Sequence, residues 1–126
     1  MSIEVVKFKK VLHVVEVDRI IEISDISANL FIDMDYSEEG GASIVIAGPE
    51  PCVNSIVLEK IGKSLTLSRA KNSRPIFPSV LTITSEGNFY SKAVIRMTIP
   101  KGTLVNVFKL DGSIHLNGPI RVDISR

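Results

Sequence analysis

The sequence predicts an all-β fold, because residues branched at Cβ dominate its apolar part. The 126 residues include 17 Ile and 14 Val, against 9 Leu and 5 Ala. Branching at Cβ restricts side-chain rotamers in a helix but packs well on a pleated sheet. Apolar and polar residues also alternate along several short segments that are separated by turn residues. No stretch shows sustained helical periodicity, so we expect strands along the whole chain.

Alternation is clearest in the segment 30–35. Leu30, Ile32 and Met34 share one face there, and Asp33 and Asp35 lie on the other, as in a half-buried strand. The segment 53–58 fits either a strand or one helical turn. Further strands are expected at 3–8, 11–17, 20–23, 44–47, 65–67, 80–84 and 93–99.

Two Asx-Gly turns recur near the end of the chain at a spacing of six residues. They are Asp111-Gly112 and Asn117-Gly118. Asx-Gly tolerates positive φ, so the backbone can bend sharply at both places. Two structures fit this pattern: a hairpin or meander with tight turns, or a coil of a parallel β-solenoid.

Length and composition are those of one globular domain covering residues 1–126. The longest apolar runs are far shorter than the roughly 20 residues that a membrane helix needs. The segment 1–4 lacks the basic start and apolar stretch of a signal peptide, so the chain as given is expected in the cytoplasm. The single cysteine, Cys52, cannot form a disulfide within the chain, and we expect it to be a buried structural thiol.

Charge is distributed unevenly along the chain. Residues 1–59 hold 11 acidic and 4 basic side chains, a net of −7, and residues 60–126 hold 3 acidic and 11 basic, a net of +8. If the two halves occupied opposite ends of the molecule, copies would attract each other head to tail. The overall charge of +1 gives no reason to expect nucleic-acid binding.

The order of several motifs resembles the auto-transporter adhesin head GIN domain family. The segment 29–34 matches its alternating strand, and 43–49 matches its strand with a Gly-Pro turn. The segment 62–67 (GKSLTL) matches a G-x-x-L-x-I/L element, and 97–104 (MTIPKGTL) matches an I-x-I-P-x-x-x-L element. The segment 112–118 (GSIHLNG) matches a Gly-Ser coil.

The resemblance covers about residues 28–124. It implies a right-handed parallel β-helix-like domain, in a protein of the cell envelope or a secreted protein, without catalytic activity. The residue patterns alone leave an antiparallel β-sandwich or meander as the alternative.

Catalytic and metal-binding patterns are sparse. Ser113 and His115 are two residues apart on an expected strand, which puts a nucleophile and a base on one face. Asp33 and Asp35 also share a strand face, where they could hold calcium or act on a glycan. A solvated strand face is the simpler interpretation of both pairs. We therefore expect no enzyme, no resident metal and no cofactor.

A basic loop is expected around Arg69, Lys71 and Arg74, where two prolines interrupt any periodicity. These side chains could contact a polyanion, but we expect no nucleic-acid partner. The loop and the Asp33/Asp35 face are candidate interaction surfaces.

The last expected strand contains Ile120, Val122 and Ile124. A parallel solenoid that stops without a cap leaves unpaired backbone groups and an open apolar core. We therefore predict a homo-oligomer that forms through the strand edge near residues 103–126. The predicted function is a binding or structural module that engages a protein or glycan through a strand face or edge, either as an adhesive module or as an intracellular scaffold. A carbohydrate- or calcium-binding protein, or a glycan-active enzyme using Asp33 and Asp35, is the alternative.

Overall fold

A computed structural model gives the structure of the chain. It describes residues 2–16, 19–35, 41–62, 64–70, 80–84, 89–90 and 92–125. Strands dominate these ranges, which confirms the all-β prediction. They are β1 (Ser2–Val6), β2 (Phe8–Glu16), β3 (Ile20–Asp35), β4 (Gly41–Pro49), β5 (Ile56–Ile61), β6 (Ser64–Arg69), β7 (Val80–Thr84), β8 (Phe89–Tyr90), β9 (Ala93–Pro100), β10 (Leu104–Asp111), β11 (Ile114–Asn117) and β12 (Arg121–Ser125).

The ambiguous segment 53–58 divides between a helix and a strand. The five-residue helix α1 spans Glu50–Asn54 and begins beside a proline, which has no N–H to place in the first turn. Its Cys52 and Val53 side chains are buried. The chain then enters β5.

The long strand β3 organises the fold by belonging to two layers. Its first half pairs in parallel with β10 on one side and β6 on the other. Its second half, from Ala28 onward, pairs in parallel with β9 and β11. The change of partners follows Asp25, where φ is 55° and the strand bends.

The two layers therefore share β3 and form one curled, mixed sheet. One layer has the order β5-β6-β3-β10-β12, and the other has the order β2-β4-β9-β3-β11. β1, β7 and β8 form a separate small sheet.

The Asx-Gly turns do not form hairpins. β11 pairs in parallel with β3, and β12 pairs in parallel with β10, so the chain crosses between the two layers at each turn. Antiparallel pairs at β2–β4, β4–β9 and β5–β6 make the whole sheet mixed, so a right-handed parallel β-helix for the entire domain stays a prediction.

The hydrophobic core lies between the two layers, because alternate residues of each strand point inward. Isoleucine, leucine and valine supply most of it, as the composition predicts. The largest fully buried side chains are Ile21, Ile23, Leu30, Ile32, Ile44, Leu65, Leu67, Ile95, Met97, Ile99, Val105 and Val107.

Candidate interaction surfaces

The predicted acidic face lies on the outer side of β3, as the alternation of that strand requires. Asp33 is exposed and Asp35 is half-buried, while the intervening Met34 points toward the interior. Asp33 lies level with Thr98 of β9 and with Asn117 of β11. These carboxylate, hydroxyl and amide groups form a polar outer surface at the end of the layer.

A ladder of planar side chains crosses the same outer face one level earlier. The Phe31 and His115 rings stack with their centroids 4.5 Å apart and their planes 9° from parallel. The Arg96 guanidinium covers the Phe31 ring at 4.6 Å from its centroid. Parallel pairing in register places these three residues side by side on β9, β3 and β11. Cation–π attraction and ring stacking therefore reinforce the pairing of the three strands.

The Ser113 and His115 side chains meet, as their shared face predicts. Ser113 Oγ lies 3.0 Å from His115 Nε2 and 3.0 Å from the Asn29 Oδ1 atom. The Ser113 backbone N–H also donates to Asn29 Oδ1 at 3.1 Å. The Ser113 hydroxyl donates its proton to Asn29 Oδ1, and its oxygen can accept a hydrogen bond from His115 Nε2 when that nitrogen carries a proton. Asn29 Oδ1 therefore accepts two hydrogen bonds from Ser113, one from the hydroxyl and one from the backbone N–H. These contacts tie the turn after β10 to the second half of β3, so Ser113 has a structural role.

The described residues contain no group of three or more His, Cys, Asp or Glu side chains that could hold a metal ion. In this part of the chain, a calcium site on the acidic face would rest on Asp33 and Asp35 alone. Protein calcium sites use 6–8 oxygen ligands, so two carboxylates are a small share of such a site. Glu38 and Glu39, which follow in sequence, lie outside the described residues.

The predicted basic loop is described only at its start. The Arg69 guanidinium forms an ion pair with the Asp25 carboxylate at 3.1 Å, between two partly exposed side chains. The Arg69 charge is therefore partly neutralised within the molecule, beside the bend of β3. Lys71 and Arg74 lie outside the described residues.

The open end of the core lies at β11 and β12. Leu116 and Ile124 are on the inner faces of their layers, yet their exposed fractions are 45% and 59%. Ile120 and Val122 are half-buried against the core. A cleft of about 590 Å³ opens here, and its lining comprises Val107, Lys109, Leu110, Gly112, Ile114, Ile124 and Ser125.

β12 is also an edge strand. Its recorded partner is β10, and no described strand pairs with its other side. An edge of this kind presents unpaired N–H and C=O groups that can pair with another chain. Of the candidate residues, Val122 and Ile124 lie in β12 and Ile120 directly precedes it, so the three are neighbours at the open end; their role in an interaction stays a prediction.

Strands from the acidic half and the basic half of the sequence are neighbours in the described part of the sheet. β3 comes from the acidic half, and it lies between β6 and β10 in one layer and between β9 and β11 in the other. All four neighbours come from the basic half. The condition for a head-to-tail attraction between charged ends is therefore not met by these strands.

Cys52 is buried, as expected for a structural thiol, with an exposed fraction of 1%. Burial raises the pKa of its thiol to about 11, because the thiolate would lose its hydration. A thiol with this pKa is almost entirely protonated at neutral pH and reacts slowly.

The sequence alone does not reveal the Arg96–Phe31–His115 ladder. Phe31 and His115 stand at outward positions of two alternating segments, which is the one signal that the sequence carries. Their contact depends on which strands are neighbours and in which register. A parallel pairing between β3 and β11, which are far apart in sequence, is not visible in local patterns.

Within the described residues, no helix has the length and apolar character needed to cross a bilayer. No family profile and no curated protein matches the chain. Solved structures of similar fold do exist. A proposed adhesin from Parabacteroides merdae has a TM-score of 0.57 at 13% identity, over 98% of this chain and 46% of that protein. A proposed adhesin from Bacteroides fragilis has a TM-score of 0.55 at 18% identity, over 93% of this chain and 49% of that protein.

A proposed lipid-binding protein from Parabacteroides distasonis has a TM-score of 0.57 at 10% identity, over 98% of this chain and 49% of that protein. The chain thus spans about half the length of these solved proteins. The resemblance to adhesin domains that the sequence motifs indicated is confirmed at the level of the fold.

Proposed function

We propose that the protein is a non-enzymatic interaction module that acts through the sheet edge at β12 and self-associates there. The observation that carries the proposal is Ile124, an inward-facing side chain of an edge strand with 59% of its surface exposed. Another strand that adds to the sheet covers apolar surface at the open core. It also supplies hydrogen-bond partners for the backbone groups of the same edge. The adhesin names of two proteins with this fold support a binding role.

Sedimentation velocity over a range of protein concentrations tests this proposal. We expect self-association that persists between about 50 and about 500 mM salt, because burial of apolar surface is screened far less than contacts between exposed charges. The Ile124→Lys variant should remain monomeric, since it places a charge where the second strand would pack. Phe108→Lys is the matched control, because Phe108 is exposed on the outer face of β10. A wild-type protein that is monomeric at every concentration contradicts the proposal.

The finer architecture is part of the same proposal. We infer that β3, β10, β11 and β12 form coils of a right-handed parallel β-helix, to which the antiparallel strands are added. The parallel pairs β3–β10, β3–β11 and β10–β12 support this inference, and right-handed crossovers are strongly favoured between parallel strands. An experimental structure with left-handed crossovers between these strands would overturn it.

Glycan or calcium binding on the outer face of β3 is the second candidate function. It is favoured by the exposed Asp33 carboxylate, which lies level with Asn117 and two residues from the Phe31 ring. Carboxylates and amides can hydrogen-bond sugar hydroxyls, and aromatic groups supply apolar contact. A thermal-shift screen against glycans and calcium tests it. Stabilisation that is lost in Asp33→Ala and kept in Asp123→Ala supports this function, and no stabilisation by any compound counts against it.

A further inference from the structure

We infer that two copies of the chain join their β12 strands as an antiparallel pair, with a two-fold axis perpendicular to the sheet that passes midway between the two Val122 residues. The inference rests on the proposed self-association and specifies its partner, geometry and register. Closed two-fold contacts are the commonest form of homo-oligomer, and the same surface of each copy then meets itself.

The alternation of β12 limits the registers that a two-fold axis allows. Arg121 and Asp123 are exposed on the outer face, and Val122 and Ile124 are on the inner face. With the axis perpendicular to the sheet, directly opposite residues point to the same side. An axis between two residues would instead pair an inward residue with an outward one. The axis must therefore pass midway between two copies of the same residue, which then lie directly opposite each other.

Charge complementarity selects Val122 among these residues. With the axis there, Arg121 of each copy lies opposite Asp123 of the other, which gives two reciprocal ion pairs on the outer face. With the axis at Asp123, two carboxylates would face each other, and with the axis at Arg121, two guanidinium groups would do so. Like charges directly opposite each other destabilise a strand pair. With the axis at Ile124, Asp123 would lie opposite Ser125 and would gain no charge partner.

The same register also brings apolar side chains together on the inner face. Val122 lies opposite Val122 of the second copy, and Ile124 lies opposite Ile120. The pairing therefore places apolar side chains against Ile124, which is 59% exposed in the single chain. The cleft beside Ile124 opens on the same side, so the second copy would also cover part of its apolar lining.

Cysteine cross-linking tests the register. Opposite residues of an antiparallel pair have Cβ atoms about 4.5–5.5 Å apart, close to the separation in a disulfide. Val122→Cys should form a disulfide-linked dimer under mild oxidation. Asp123→Cys is the matched control and should not, because its opposite residue is Arg121. The native thiol of Cys52 is buried and should not form a disulfide under these conditions. The unmodified protein, oxidised in the same way, measures any cross-linking through Cys52.

Charge reversal is the second test, and it leaves the fold intact because both positions are exposed. Arg121→Asp alone and Asp123→Arg alone each turn two attractions into two repulsions, and each should weaken the dimer about tenfold. The variant that carries both changes restores the complementary pairs and should associate like the unmodified protein. Sedimentation equilibrium measures all four dissociation constants.

The outcomes separate this inference from the proposal on which it rests. Self-association with cross-linking of V122C and rescue by the double reversal supports both. Self-association with cross-linking of D123C instead, or without rescue, overturns the register and leaves the interaction module standing. Association in which β12 meets β5 of another copy would give filaments and neither signature, which also overturns the register. A strictly monomeric protein overturns both.

Discussion

Asp25 and Lys109 adopt the same left-handed backbone conformation, each with a φ of 55°. They lie opposite each other on neighbouring parallel strands, because Ser24 pairs with Phe108 and Ile26 pairs with Leu110. Both strands thus bend at the same level, and each then continues toward the other layer of the sheet. The paired bends are the corner around which the sheet curls.

Substitution at Lys109 should reveal the strain at this corner. Left-handed backbone costs a residue with a Cβ about 1–2 kcal/mol, and branching at Cβ raises the cost. Lys109→Gly relieves the strain but loosens the unfolded chain, so the free energy of unfolding should change by less than about 1 kcal/mol. Lys109→Val should be about 1–2 kcal/mol less stable than Lys109→Gly. Urea denaturation measures both.

A matched pair of variants on β10 separates the effect of backbone conformation from the effect of losing the side chain. Asn106→Gly and Asn106→Val make the same changes at a half-buried position of regular strand. There, valine should be the more stable of the two, because β-branched residues favour strands. The same order at Lys109 as at Asn106 would contradict a strained corner.

Gly112 allows the turn after β10 to approach β3 closely. A Cβ atom on Gly112 would lie far inside van der Waals contact of the Ala28 carbonyl oxygen. Gly112→Ala should therefore lower the free energy of unfolding by about 3 kcal/mol or more, because one of the two backbones must move. Thermal and urea denaturation both report this loss.

Gly62→Ala is the control for the turn. Gly62 also has positive φ, at 59°, but nothing lies within 4 Å of the position of its Cβ. We expect a loss of about 1 kcal/mol there, from backbone conformation alone. Equal losses at the two glycines would show that close approach to Ala28 is not what Gly112 provides.

The sequence predicts the sharp bend after β10, but it does not predict which strands pair at this corner. Asp111-Gly112 marks a sharp bend by its chemistry alone, and the alternation of 30–35 gives the inward and outward faces of β3 correctly. The sequence places separate strands at 20–23 and 30–35, because Ser24, Asp25 and Ser27 interrupt the apolar pattern between them. The structure runs one strand through all of these residues. The hydrogen bonds that hold it come from distant segments, so local propensity cannot reveal them.

The same distinction applies to the candidate surfaces. Alternation within one segment groups Ile120, Val122 and Ile124, and their role in an interaction surface stays a prediction. A separation of charge into two ends is not seen among the described strands, because β3 from the acidic half lies between strands of the basic half. Contacts within a strand follow from a two-residue period, whereas contacts between strands depend on topology.

Asp111 should make stability depend on pH at the acid end. The Lys92 ammonium donates a hydrogen bond to its carboxylate at 2.9 Å, and this contact lowers the pKa of Asp111 in the folded chain; Ser27 adds a weaker contact at 3.2 Å. The folded pKa lies below the unfolded value of about 3.9, so the ionised form favours folding. The stabilisation should be complete above about pH 5 and lost as the pH falls through the folded pKa.

A double-mutant cycle isolates this contribution. The Asp111 side chain is 64% exposed, so the coupling with Lys92 should be at most about 0.5 kcal/mol at neutral pH. Urea denaturation of Asp111→Asn, Lys92→Met and the double variant measures the coupling at about pH 7 and again at successively lower pH, through the folded pKa of Asp111. A coupling that is unchanged in acid would mean that the ion pair does not stabilise the fold.

Two isoleucines of the inner faces should show how far the core extends toward β12. Ile32 is 1% exposed, whereas Ile124 is 59% exposed. Ile32→Ala should lower the free energy of unfolding by about 2–5 kcal/mol, because it leaves a cavity between packed layers. Ile124→Ala removes the same atoms from a surface that water already reaches, so it should cost less than about 1 kcal/mol in the monomer. Urea denaturation at a protein concentration below the dimer dissociation constant makes the comparison. If Ile124→Ala costs as much as Ile32→Ala under these conditions, the end of the core is covered within one chain, and the edge has no apolar surface to offer a second copy.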